Sequence, residues 1–215
     1  MAYINIRLGG NTMTKNFWRV RLGAAKKGHN RYERVYNLCK NEKPPCIAVG
    51  WGEIDLSQDI DEIANDYESI YEEPFRGKGH YQIKRWFDMK KGNYVIAMIR
   101  PATICGIGEI IRKRYHEENE NFKIEIEGYD NPGEVWFFNR IDVDWITSPD
   151  KYIKVRSLGL PKHTENILLQ IPTIINIERN DYNLIKEKMD AYEPEESPSP
   201  SKFKREYDTY GKSSR

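Results

Sequence analysis

The sequence is short of cysteine, and what it has is badly spaced for crosslinking. Cys39, Cys46 and Cys105 are an odd number with no Cys-x-x-Cys pair, so neither a disulfide framework nor a structural zinc site is read. They read instead as reduced, partly buried thiols of a cytoplasmic protein. No apolar run approaches the ~20 residues of a membrane span. The opening stretch MAYINIRLGGNTMTKN has no apolar core ahead of a cleavage site, so it is not a secretory signal. Excess charge of one sign is missing too. Against 33 acidic side chains stand 34 Lys and Arg, a net charge of +1, so nucleic-acid binding has to come from a local patch rather than a global field.

Catalytic signatures are absent as well. His29, His80, His116 and His163 lie in polar loops or near helix ends and read as surface histidines. No His-Glu-x-x-His, Gly-x-Ser-x-Gly or Gly-x-x-x-x-Gly-Lys-Ser/Thr pattern occurs. Gly106-Ile107-Gly108 sits inside an apolar strand with no helix behind it to present amides to phosphate. Its glycines point to close backbone approach or a bend. Glu125-Ile126-Glu127 and Asp142-Val143-Asp144 alternate as strands do, which predicts solvent-facing carboxylates, and no Glu-x-Lys completes a nuclease set. No catalytic residue, metal ligand or cofactor is read. The chain is expected to be a binding domain, with any nuclease or NTPase on another domain or subunit.

What is present is aromatic and β-rich. Hydrophobic residues make up 39% of the chain, with 14 Tyr and 5 Trp, enough for a sizeable core. Residues 17–21 alternate aromatic and charged side chains as a half-buried strand does. A helix is predicted over 31–40, ended by Pro44-Pro45, and a short strand over 46–50. Ile60, Ile63, Ala64, Tyr67 and Ile70 form an amphipathic helical stripe, capped by Ser57 or Asp59. A further helix is expected over 81–89. Strands follow at 94–99, 104–111, 122–126 and 136–146, the last with a break, and Asp130-Asn131-Pro132-Gly133 marks a turn. Beyond them come a strand at 152–155 and helices at 164–169 and 181–192. Five or six short strands among few helices predict an α+β fold and favour a small barrel over a βαβ sandwich. Residues 1–16 read as a flexible leader, 17–192 as the folded domain, and the Pro/Ser-rich 193–215 as a disordered linker or tail to which a further domain is expected to attach.

Tryptophan placement carries the functional argument. Trp51 follows an apolar strand and precedes Gly52, so it sits at a strand end. Trp136 lies just after a turn. Aromatic side chains at such positions can form a slot around a planar base, where stacking contributes ~1–3 kcal/mol per base. A methyl group on the base gains further from an apolar wall.

Four stretches, in order, extend this reading: Phe17-Trp18-Arg19-Val20; Ala48-Val49-Gly50-Trp51-Gly52; Asn93-Tyr94-Val95-Ile96 through Gly106-Ile107-Gly108-Glu109-Ile110; and Arg140-Ile141-Asp142-Val143-Asp144-Trp145-Ile146. Together they resemble a PUA-like domain of the EVE/YTH type and are similar to the N-terminal recognition domain of archaeal McrB-type modification-dependent restriction systems. The resemblance implies a PUA-like twisted β-barrel of five to six strands flanked by helices, with a modified base flipped into an aromatic pocket. On these residues it implies Trp51 as the first cage wall, Trp136 as the second, Tyr115 as a third wall or lid, and Trp145 as a core residue. The amide of Gly52, or Asp55, would meet the base edge. Asn93 stands where the family has aspartate, and residues 22–30 lack the family's base-bonding polar residue. Lys26, Lys27 and Arg31, then Arg76 and Lys78, then Arg112 and Lys113 are basic loops expected to hold the phosphate backbone. The implied partner is methylated double-stranded DNA bearing N6-methyladenine, with restriction-system motor and nuclease subunits beside it and no membrane. An RNA-binding YTH/PUA-like reader and a non-nucleic-acid interaction domain on the same fold are the alternatives.

Overall fold

Residues 94–99, YVIAMI, bring no charge to either face of an extended chain, so the strand they form has to be covered on both sides. The computed structural model, which describes residues 15–22, 31–99, 102–126, 133–147, 152–170 and 172–193, covers it in that way. In chain order the elements are β1 (Phe17–Arg21), α1 (Arg31–Asn41), β2 (Cys46–Val49), α2 (Ile60–Tyr71), α3 (Gly77–Asp88), β3 (Tyr94–Ile99), β4 (Thr103–Ile110) and β5 (Tyr115–His116). They continue with β6 (Lys123–Ile126), β7 (Gly133–Trp136), β8 (Asn139–Trp145), β9 (Ile153–Lys154), α4 (Lys162–Leu169), β10 (Ile174–Ile177) and α5 (Arg179–Asp190).

The fold is α+β, a sheet curled into a half-barrel and flanked by helices. Its six-strand path runs β10-β1-β3-β4-β8-β2, with β5 added to β8 and β9 to β4, while β6 and β7 form a separate hairpin. Along the path only β1 and β3 run parallel; the rest pair antiparallel. Among the described residues β10 and β2 do not pair with each other, so the barrel stays open between them.

Strand alternation divides the interior in two. Trp18, Val20, Val95 and Ala97 face one core with Val35, Ile63 and Trp86 from α1, α2 and α3. Phe17, Ile96, Met98 and Ile107 face the other with Leu168, Tyr182 and Ile185 from α4 and α5. Burial of side chains such as Trp86 contributes about 1.5–3 kcal/mol each. The glycines of β4 serve close approach. A β-carbon at Gly106 would stand 2.9 Å from the Trp145 ring, and one at Gly108 would stand 2.9 Å from the Asp144 carbonyl.

Several sequence expectations are corrected. Asp142 does not face solvent; it is buried, because β8 is covered on that face by the chain around Tyr115. His116 is half-buried and bonded rather than a free surface group. The break expected in the strand over 136–146 falls at Phe137-Phe138; what differs is that β7 begins earlier, at Gly133. β10 was not anticipated, since four residues interrupted by Asn176 carry little periodicity. α3 starts at Gly77, four residues before the expected helix, because glycines disfavour the helical reading of its first turn. Of the two candidate caps for α2, Asp59 is the one used; its carboxylate accepts from the amides of Asp61 and Glu62, each at 3.0 Å. The leader up to residue 14 and the tail from 194 lie outside the described residues.

Candidate functional site

β2 is wholly buried and pairs with β8, Val49 opposite Asn139, before the chain turns at Gly50-Trp51. Trp51 adopts a φ of +63°, a left-handed conformation that is an outlier for a bulky side chain. Something has to hold it there. Asn139 does: its side-chain amide donates to the Trp51 carbonyl at 2.8 Å and to the Ile54 carbonyl at 2.9 Å, while its Oδ1 accepts from the Leu56 amide at 2.9 Å. His116 Nδ1 lies 3.1 Å from the same Oδ1. Two carbonyl partners fix which end of the amide is oxygen, so His116 must carry its proton on Nδ1. A further bond, Ile54 amide to Trp51 carbonyl at 3.1 Å, closes the turn.

The turn is buttressed from below by β7. A β-carbon at Gly52 would fall 2.2 Å from Trp136 Cβ and 2.5 Å from the Trp136 carbonyl oxygen, so only glycine fits. Beside it opens a cleft of about 200 Å³ lined by Val49, Trp51, Val135, Phe137, Arg21 and Thr173. It lies where the two sheet edges fail to meet, between the end of β2 and the approach to β10. Its volume falls below the ~300–1,000 Å³ of drug-sized sites, a size suited to one small flat group.

Arginines back this region. Arg19 is wholly buried and donates to the Gln170 carbonyl at 3.0 Å and the Thr173 carbonyl at 3.3 Å; Arg21 reaches the Leu168 carbonyl at 3.5 Å. These carbonyls end or follow α4, where the helix dipole is negative. Arg85 donates to the Ile174 carbonyl at 2.7 Å. Burial first, then the neighbouring Arg21 and Arg85 charges, pull the Arg19 guanidinium down to about 9, still charged at neutral pH. The sequence reasoning passed over Arg19 and Arg21. Arginines at alternate positions of an otherwise apolar strand fit a half-exposed face as well as a buried one, so spacing alone does not show that Arg19 is covered.

Of the sequence-derived site residues, Trp51 lines the cleft and Gly52 forms its hinge. Trp136 is not on that lining. Alternation along β7 turns Val135 and Phe137 into the cleft, and the Trp136 ring stacks instead on Phe138, centroids 5.6 Å apart, with Lys123 5.1 Å above it. Tyr115 is not brought to Trp51 either. Its hydroxyl donates to Asp142 at 2.8 Å and Arg112 lies over its ring at 5.0 Å; burial, then that hydrogen bond, hold its pKa well above the usual tyrosine value. Asp55 accepts from the Ser57 amide at 2.8 Å and shapes the loop rather than lining the cleft. Among the expected phosphate contacts, Arg76 stands exposed at the start of α3, and Arg112, paired with Asp142 at 3.5 Å, and Lys113 follow β4. Arg31 and Lys78 lie in the first turns of α1 and α3, their side chains outside the described residues, as are Lys26 and Lys27.

Residues 18–166 match the model of a family described as Domain of unknown function (DUF8426). The chain belongs to that family. The DUF8426 match takes in the Trp51 turn, β7 and β8 but stops before β10 and α5. No curated protein matches the chain. Among solved structures, the YTH domain of the Zygosaccharomyces rouxii MRB1 protein, in complex with N6-methyladenosine RNA, aligns at a TM-score of 0.43 and 12% identity, over 84% of this chain and 90% of that one. Among the described residues no helix is long and apolar enough to cross a membrane, and no group of three or more His, Cys, Asp or Glu is arranged to hold a metal ion.

Proposed function

We propose that this chain reads methylated DNA by receiving a flipped base, N6-methyladenine, in the cleft beside Trp51, and that it serves as the specificity module of a modification-dependent restriction system. The observation that carries the reading is the posture of Trp51. A bulky aromatic side chain held at φ +63° by a buried amide, on a cavity of about 200 Å³ that also has an arginine on its lining, is suited to stack on a flat group. Val135 and Phe137 form the facing apolar wall, suited to a methyl group, and Arg21 offers a charge to a phosphate. In this reading Trp136 acts one step back, as the buttress of Gly52. Extruding a base costs a few kcal/mol of unstacking, which stacking on Trp51 and phosphate contacts together must offset.

The test is a titration of wild type and Trp51→Ala at fixed salt against duplexes carrying N6-methyladenine, 5-methylcytosine, N4-methylcytosine or no modification. Wild type is expected to prefer N6-methyladenine. Trp51→Ala is expected to keep its thermal transition and lose that preference, a fall of about 5- to 160-fold for ~1–3 kcal/mol of stacking. A variant that discriminates as wild type does would sink the assignment. Methylated RNA in the same titration separates DNA from RNA as the partner.

A further inference from the structure

A second cleft, of about 360 Å³, opens at the other end of β1. Phe17 begins that strand and Arg21, on the Trp51 cleft, ends it, a separation of roughly 13 Å at ~3.3 Å per residue. Its floor is aromatic: Phe17 and Tyr94 stack at 5.6 Å and 10°, and Tyr182 lies 4.5 Å from Phe17 and 5.3 Å from Tyr94. Its rim is cationic. Lys15 donates to the Tyr94 hydroxyl at 2.8 Å and sits 4.7 Å over that ring, and Arg179 lies 5.7 Å over Phe17. Lys186 lines the same cleft, and Arg179, Tyr182, Asn183 and Lys186 recur at i, i+3, i+4 and i+7, one face of α5. Among the described residues the carboxylates that act on this rim are Asp190, ion-paired with Lys186, and Glu109, fewer than its three cations.

We infer that this cleft is a second contact for the nucleic acid, taking successive backbone phosphates at Lys15, Arg179 and Lys186, indifferent to sequence and to modification. The inference rests on the chain being a nucleic-acid binder, not on which base it reads. An anion is the ligand because the rim carries net positive charge over aromatic faces, to which cations are already drawn. A nucleic-acid strand is the source because the two clefts share β1. A spacing of roughly 13 Å matches about four base-pair steps of rise along a duplex axis at ~3.4 Å each, so one duplex spans both clefts. Asp190 is the internal competitor, holding Lys186 until a phosphate displaces it.

The experiment uses the full chain and an unmodified 20-base-pair duplex, with affinity measured against salt. Arg179→Gln/Lys186→Gln is expected to weaken binding about tenfold and to flatten the log–log salt dependence by about 1.8, two phosphate contacts at ~0.9 each. Lys15→Gln, in the chain ahead of β1, is expected to flatten it by about 0.9 and guards against a folding defect in α5. Asp190→Asn is expected to tighten binding severalfold. In all of these the preference for a methylated duplex stays at its wild-type ratio. An unchanged salt slope in both the double variant and Lys15→Gln overturns this contact, whatever Trp51→Ala does. A lost slope alongside a Trp51→Ala protein that still discriminates leaves the contact standing and removes the base-reading proposal. Absence of duplex binding by wild type overturns both.

Discussion

The two clefts at the ends of β1 are built from similar residue types to opposite designs. At the Trp51 end the aromatic side chain is on the wall, the arginines turn back toward backbone carbonyls at the end of α4, and a buried amide sets the geometry. At the α5 end the aromatics are the floor and the cations form the rim. The first arrangement fixes a shape, because four hydrogen bonds converge on one side chain and leave it no alternative. The second offers charge on flexible stems, which adapts to a ligand but discriminates little. Under the proposed function, selectivity and affinity fall to different ends of one strand.

The comparison breaks most sharply at Asn139. Asn139→Ala leaves the Trp51 and Ile54 carbonyls and the Leu56 amide without their partner, and about 3 kcal/mol of stability is expected to go, read as a lower urea midpoint. Asn139→Asp keeps the acceptor but sets a buried carboxylate oxygen against the two carbonyls, so it should cost at least as much. Both are expected to erase methyl preference while any salt slope from the α5 cleft remains in the fraction still folded. Next comes Gly52→Ala. The added carbon meets Trp136 main chain rather than a yielding side-chain tip, so about 1–3 kcal/mol is expected to be lost and the Trp51 fluorescence maximum to shift. The smallest effect belongs to Tyr115→Phe. Losing one hydrogen bond to buried Asp142 should cost about 1–2 kcal/mol in chemical denaturation and leave methyl preference at its wild-type ratio. A Tyr115→Phe protein that folds as wild type but loses preference would bring Tyr115 back as a wall.

Legibility in the sequence followed the range of the interactions. The α2 stripe, the strand ends near Trp51 and the all-apolar β3 are local patterns, and each is where periodicity puts it. Asp142 looked solvent-facing because alternation along a strand says which residues share a face, not whether that face is covered. Trp136 looked like a cage wall because it follows a turn. Its neighbours Val135 and Phe137 take the cleft because the hairpin pairs Lys123 with Trp136 and sets which face looks inward. Arg19 was illegible for a related reason: a buried guanidinium is tolerable only beside carbonyls supplied some 150 residues later.

By itself, then, the sequence determined the class of fold, the two-sided burial of β3 and the placing of Trp51 beside a glycine at a strand end. These follow from side-chain periodicity and backbone preference, which act between near neighbours. Only the tertiary structure decided that Asn139 grips the Trp51 turn, that Gly52 is needed because Trp136 passes 2.2 Å from where its β-carbon would be, and that β1 ends in a cleft on either side. Those depend on groups more than 70 residues apart in the chain meeting in space, which composition and spacing do not encode.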